Sequence, residues 1–131
     1  MSGGPVNWVP LSGAVLSNLR RDTSSGSYGA RAHFPSTAAV FQGHFPGDAI
    51  APGYCLLNLI LDTLMAGGHA LEFKTIDWAK FYHPVLPGDV LDVDIHIQPH
   101  AAGGFACEAT LRLRDQLILD FSGSLAESQN G

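Results

Sequence analysis

His44 is the side chain of this sequence best placed to move a proton. It stands in the stretch Phe41-Gln42-Gly43-His44-Phe45-Pro46-Gly47-Asp48-Ala49-Ile50-Ala51-Pro52-Gly53. Pro46 and Pro52 restrict φ, and Gly43, Gly47 and Gly53 permit close or left-handed backbone. Such a loop leaves its central side chain little freedom. Phe41 and Phe45 flank the imidazole with apolar surface. Histidine has the unperturbed pKa nearest neutrality, so it serves as a base without much tuning. The residues alone support a catalytic base and a packed, hydrogen-bonded loop histidine about equally.

The run that follows, Gly53 to Ala66, predicts a helix of roughly 21 Å, stopped by Gly67-Gly68. It is apolar on nearly every face, so it belongs under cover. It is too short to span a membrane. Asn58 and Asp62 interrupt it, four apart and therefore on one face. A buried carboxylate is costly unless paired or functional. Asp62 is thus read either at a wet helix end or subunit contact, or in the chemistry. At the other end, the first N–H groups have no intrahelical partner. They can polarise a carbonyl oxygen, and Gly53 lets a ligand come close to that backbone.

These residues resemble the 3-hydroxyacyl-acyl carrier protein dehydratases of the FabZ/FabA type, which have the hotdog fold. The family pattern is roughly G-H-F-P-G-x-P-x-x-P-G-V, followed by an acidic residue in the helix. This chain reads Gly43-His44-Phe45-Pro46-Gly47-Asp48-Ala49-Ile50-Ala51-Pro52-Gly53-Tyr54. A second match is Ala79-Lys80-Phe81-Tyr82-His83-Pro84-Val85-Leu86-Pro87-Gly88-Asp89, against A-R-F-x-x-P-V-x-P-G-D. The resemblance covers about residues 27 to 125.

The resemblance implies an α+β hotdog fold, a single domain over 1–131 whose antiparallel sheet wraps one central helix. Two subunits would join their sheets, with an acyl tunnel along the interface. His44 would remove the α-proton of a 3-hydroxyacyl thioester. The Gly53 N–H would hold the thioester carbonyl, with Phe45, Pro52 and Tyr54 beside the substrate. A carrier-protein-bound acyl thioester is the implied substrate, and no cofactor or metal is expected. The departure lies at the acid. The family's Glu or Asp falls on Asn58, fourteen positions after His44. Asparagine orients a hydroxyl or a water but donates no proton as an acid does, and a positioned acid or base is typically worth 10²–10⁴-fold in rate. Three accounts stay open. Asp62 reaches the site from one turn further on. His44 serves alone, with Asn58 and a water assisting. Or dehydration has been given up for acyl binding or another thioester reaction. A thioesterase using Asp62, and a non-catalytic acyl-binding or partner subunit, are the alternatives to a dehydratase.

The elements that must position these residues follow from the rest of the chain. Its 131 residues suit one domain with one core. With 46% hydrophobic and 15% charged residues, it is rich enough in apolar surface to cover area against a second copy of itself. A net charge of −5 argues against nucleic acid, and docking of an acidic carrier protein needs a local basic patch, with Lys80 the best candidate. No basic region with a following apolar run opens the sequence, so no secretory leader is expected and the expected place is the cytoplasm. Cys55 and Cys107 lack metal spacing and read as small apolar residues.

Segments 1–12 and 126–131 are expected to be loose. Ala14 to Asp22 and Tyr28 to Phe34 read as strands around a turn at Thr23 to Ser27. Leu71 to His83 reads as a long half-buried strand. Leu91, Val93, Ile95 and Ile97 alternate with polar residues, as do Phe105, Cys107, Ala109, Leu111 and Leu113. Asp115-Gln116 is placed as a hairpin turn into Leu117 to Leu125. His83 is given a structural role at the pocket border, and His33, His69, His96 and His100 form no i, i+4 metal pair. One apolar helix and a meander of alternating strands resolve as a sheet curled around the helix. Its open edge is the natural place for a second copy.

Overall fold

The computed structural model describes residues 10–38, 41 and 50–128. Among the described residues, one helix and six strands form. They are β1 (Val15–Asp22), β2 (Ser27–His33), α1 (Gly53–Ala66), β3 (Leu71–Phe81), β4 (Leu91–Pro99), β5 (Phe105–Leu113) and β6 (Gln116–Glu127). The strands make one sheet in the order β1-β2-β4-β5-β6-β3, and every pairing is antiparallel.

The alternation read from the sequence sets which face of the sheet meets the helix. Leu91, Val93, Ile95 and Ile97 of β4 are buried, as are Cys107, Ala109 and Leu111 of β5. Asp94, His96 and Glu108 point to the other face and are exposed. Against the buried rows lie Leu59, Ile60 and Leu64 of α1, each fully buried. Burying one such side chain is worth about 1.5–3 kcal/mol. In β6 the alternation slips once. Leu111 pairs with Leu119 and Arg112 with Leu117, so Ile118 is an extra residue. This bulge lets Ile118 and Leu119 both reach the core.

The helix ends are held from outside. Gly67 caps the C-terminus, and its N–H donates to Thr63 O and Leu64 O. No basic residue lies in the last turn. Arg21 of β1 supplies the charge instead, donating from Nη1 to Gly67 O at 2.8 Å, where a cation complements the helix dipole.

β3 differs from its expected form. It ends at Phe81, leaving Tyr82 and His83 outside, while its apolar side chains are half-buried as expected, with Leu71 buried and Phe73 and Ala79 packed on the core. Ile76, Trp78 and Phe81 are 47%, 44% and 46% exposed. Two register slips against β6, at Lys74 and Asp77, break the alternation, and β3 lies at the sheet edge with one neighbour. The hairpin before β6 turns at Arg114-Asp115, with Arg114 at φ 56, and Gln116 already pairs with Leu113. The ends are also more tied than expected. Ala126 and Glu127 belong to β6, and Ser128 N donates to Ala70 O at 2.9 Å.

At Gly123 the bulged β3 leaves β6 no room for a side chain. A Cβ there would lie 2.3 Å from Thr75 O. Gly123→Ala is therefore expected to lower unfolding free energy by about 1–3 kcal/mol, as overpacking does, measured by urea denaturation. Cys107 gives a second check. Burial pushes its thiol from 9.0 up to about 12. Below pH 9 the thiol is neutral in both folded and unfolded chains. Between pH 9 and 12 the unfolded chain releases the proton and the folded one keeps it, so stability falls as pH rises across that window. A thiol reagent at pH 8 should label Cys107 only at the rate of unfolding.

Candidate active site

The site is built at the N-terminus of α1. Pro52 precedes the helix in an extended conformation (φ −62, ψ 151), and no side chain caps the end. Pro52 O accepts from Cys55 N at 3.0 Å and Leu56 N at 3.4 Å. The first turn carries no acidic residue. Among the described residues, no backbone acceptor takes the Gly53 or Tyr54 N–H. These are the donors a helix start leaves over.

Residues 82–90 cross in front of this end. Ala51 N donates to Val85 O at 2.8 Å, and Val85 is fully buried. Tyr82 N donates to Ile118 O, and Gly88 N to Phe34 O, each at 2.9 Å. Leu86 N donates to Asp89 Oδ2, closing the turn. Between helix and crossing segment lies an open groove of about 400 Å³, lined by Ala51, Gly53, Leu56, Phe81, Tyr82, His83 and Pro84. The Phe81 ring covers Gly53 so closely that a Cβ there would sit 3.1 Å from its Cζ. The glycine thus admits an aromatic ring from β3 beside the helix start. Its role in the fold is this contact, where the sequence had suggested only ligand access.

The residues singled out from the sequence fall in different places. Gly53 lines the groove. Pro52 is half-buried beside it, and Tyr54, 65% exposed, is outside its lining. His44 and Phe45 lie outside the described residues. Asn58 is half-buried on α1 and does not line the groove of its own chain. Lys80 is exposed on β3, its ammonium 5.6 Å from the centre of the Trp78 ring. His83, given a structural role from sequence, is in the groove lining. Its Nε2 lies 2.6 Å from Gln116 Nε2.

Asp62 is at neither a wet helix end nor an exposed contact. It is 1% exposed. Oδ1 accepts from Leu11 N at 2.7 Å, and Oδ2 accepts from Ser12 N at 2.8 Å and Ser12 Oγ at 2.5 Å. Ala14 N in turn donates to Ser12 Oγ at 3.1 Å. The carboxylate therefore fixes the chain that enters β1, and residues 11 and 12 are held rather than loose. An account that routes the acid chemistry through Asp62 requires it to leave these donors. Nothing in the sequence marks this partner, since the two segments are 50 residues apart.

Residues 20–114 match the family model described as ApeI-like, ApeI dehydratase. The chain belongs to the ApeI-like dehydratase family. The matched span contains both motif segments, α1 and the groove. The 3-hydroxyacyl-[acyl-carrier-protein] dehydratase FabZ of Agrobacterium fabrum is 38% identical over 88 residues, covering 61% of this chain and 57% of the relative. That of Campylobacter concisus is 32% identical over 99 residues, covering 62% and 64%. The match spans between about half and two thirds of these curated relatives. Among solved structures, the dehydratase heterocomplex ApeI:P from Xenorhabdus doucetiae superposes with a TM-score of 0.65 at 22% identity, over 86% of this chain and 97% of that one. The ApeI-like chain therefore has the hotdog fold, and the likeness to FabZ-type dehydratases seen in its two motifs stands. No described helix is long and apolar enough to cross a membrane.

The Asp62 clamp yields a direct test. Asp62→Asn removes the charge and turns one acceptor into a donor facing Ser12 or Leu11. Hydrogen bonds to a charged group contribute about 1.5–3 kcal/mol each, and breaking such a buried set costs on the order of 3 kcal/mol. Chemical denaturation should show that loss, with amides of residues 11 and 12 exchanging faster.

Proposed function

We propose that the chain is a dehydratase that eliminates water from a 3-hydroxyacyl thioester, carried on acyl carrier protein, to give the trans-2-enoyl thioester in fatty-acid or polyketide-like synthesis. The observation that carries this reading is the uncapped start of α1, set in an apolar groove and preceded in sequence by the Gly43-His44-Phe45-Pro46-Gly47 motif within the family-matched span. An apolar groove suits an acyl chain, and free N–H groups suit a thioester oxygen that gains charge.

In this mechanism the Gly53 N–H receives the thioester carbonyl. His44 Nε2 or Nδ1 takes the α-proton. The electrons of that C–H bond form the Cα=Cβ double bond, and the Cβ–O bond breaks. The imidazolium returns its proton to the departing oxygen, which leaves as water. Asp62 is occupied by Leu11 and Ser12, so the route we favour has His44 carrying the proton in both directions. Asn58 of a second copy orients the hydroxyl. That copy pairs along β3, whose edge offers Ile76, Trp78 and Phe81, making a homodimer. Lys80, on the same strand, is the site we assign to carrier docking, and the cytoplasm is the compartment.

A second reading is an acyl-binding subunit without turnover, favoured by the amide at Asn58. The similar Xenorhabdus doucetiae structure is a dehydratase heterocomplex. That likeness supports a version in which the β3 edge takes a different hotdog partner.

Mass spectrometry of a 3-hydroxyacyl carrier-protein thioester incubated with the protein separates these readings. Loss of water is expected with wild type, and His44→Ala should slow it by about 10²–10⁴-fold. Full rate in His44→Ala sinks the mechanism. An unchanged thioester points to the binding subunit, and loss of the whole acyl group to a thioesterase.

A further inference from the structure

The groove at Gly53 has a polarity gradient. Ala51 and Leu56 are 5% and 3% exposed, whereas Tyr82 is 51% exposed and His83 and Pro84 are exposed beside it. The covered side suits an apolar chain. The open side suits something that is half in water. His83 is the one imidazole among the described lining residues.

We propose that His83, held by Gln116, is a specificity-determining residue at the groove mouth. It donates a hydrogen bond from Nδ1 to an amide carbonyl oxygen on the thiol-side arm of the thioester. This rests on the dehydratase reading only for the class of ligand.

The argument begins with the hydrogen bond. The Gln116 amide nitrogen lies 2.6 Å from His83 Nε2. An amide nitrogen is a donor, so Nε2 offers its lone pair. In a neutral imidazole the proton is then on Nδ1. No hydrogen bond to Nδ1 is formed among the described residues, and His83 lines the groove, so on this proposal Nδ1 is the donor that meets the ligand. Because the His83 side chain is exposed, water would satisfy its ring nitrogens without Gln116. The bond therefore fixes ring orientation and tautomer, rather than relieving a buried polar atom.

Both partners are anchored. Tyr82 N is tied to Ile118 O, Pro84 fixes φ after the histidine, and Val85 O accepts from Ala51 N. Gln116 opens β6 and pairs with Leu113. The other titratable and charged groups at this corner are Tyr82 beside His83, and Asp89, Arg114 and Asp115, which line an adjoining groove with Gln116. The donors on a mostly apolar groove, the Gly53 N–H and His83 with the Tyr82 hydroxyl beside it, select a ligand with more than one acceptor. A thioester carbonyl followed by an amide-bearing arm is such a ligand.

The test is binding of two unreactive probes to the full chain by titration calorimetry. One is a 3-hydroxyacyl pantetheine analogue with nitrogen in place of the thioester sulfur. The other is the same acyl group on ethylamine, which lacks the arm. His83→Phe should weaken the first about tenfold, the loss of roughly one hydrogen bond, and leave the second unchanged. His83→Gln, which keeps a donor, should stay within about threefold of wild type. Gln116→Leu should weaken the first probe in the same direction. Nitrogen-15 spectra of the wild-type imidazole should show the proton on Nδ1.

Equal weakening of both probes, no weakening, or no binding of either by wild type overturns the proposal. A proton on Nε2 in wild type overturns the donor assignment. A fall in kcat with KM unchanged in His83→Phe also counts against it, since that places His83 in the chemistry. Failure of the dehydratase reading looks different: the probes bind with the expected pattern, while no water is lost from the hydroxyacyl thioester.

Discussion

A helix apolar on nearly all sides has to be covered on nearly all sides, and this constraint shapes the molecule. Leu59, Ile60 and Leu64 have no exposure at all. A flat sheet covers one stripe of a helix, so the sheet must curl to cover the rest. Curling brings strands distant in the sheet order, β1 and β3, to opposite flanks of the same helix. The helix start is then the place where cover runs out. There the 82–90 segment crosses over, pinned by Ala51 N to Val85 O. The groove is the gap between that crossing and an end no side chain caps. Its position is a consequence of how the core is closed.

The one carboxylate on the helix is governed by the same constraint. A charge fully enclosed is tolerated only with hydrogen bonds to both oxygens. Leu11 and Ser12 supply them, and in doing so attach the chain entering β1 to the middle of α1. A group with three donors satisfied inside the protein is poorly disposed to exchange protons with a ligand. Asn58, one turn earlier, is half-buried and carries no charge to satisfy. The two polar residues on this helix face thus divide between holding the fold and facing outward from it. The spacing that puts them on one face does not give them one role.

Much of this was legible in the sequence, for identifiable reasons. Period-two alternation marked β4 and β5, because both lie inside the sheet with one face on the core. The helix bounds were legible because Pro52 and Gly67 delimit a mostly apolar run. β3 was legible as a half-buried strand but set two residues too long, and its bulges at Lys74 and Asp77 and its edge position were hidden, because neither shows in a strand's own composition. The Asp62 clamp was hidden by its range, since hydrogen bonds to backbone N–H groups leave no mark on residue type. His83 was set aside for a related reason. Its significance depends on Gln116, 33 residues away, which sequence placed in a turn. The turn is one residue earlier, and that shift puts Gln116 on the strand facing the histidine.

The two sheet edges differ in form. β1 carries a bulge at Asn18, which takes φ 50, with a register slip between Ser17 and Arg20. Arg20 and Arg21 follow, and such an edge is both bent and charged. These features discourage a neighbouring strand. β3 is longer, carries Ile76, Trp78 and Phe81 partly exposed among the exposed Glu72, Lys74, Asp77 and Lys80, and runs directly into the groove through Phe81. The ring that seats on Gly53 is therefore the last residue of the edge strand. In the homodimer proposed above, the copy paired along that edge lies beside the helix start and the groove of about 400 Å³.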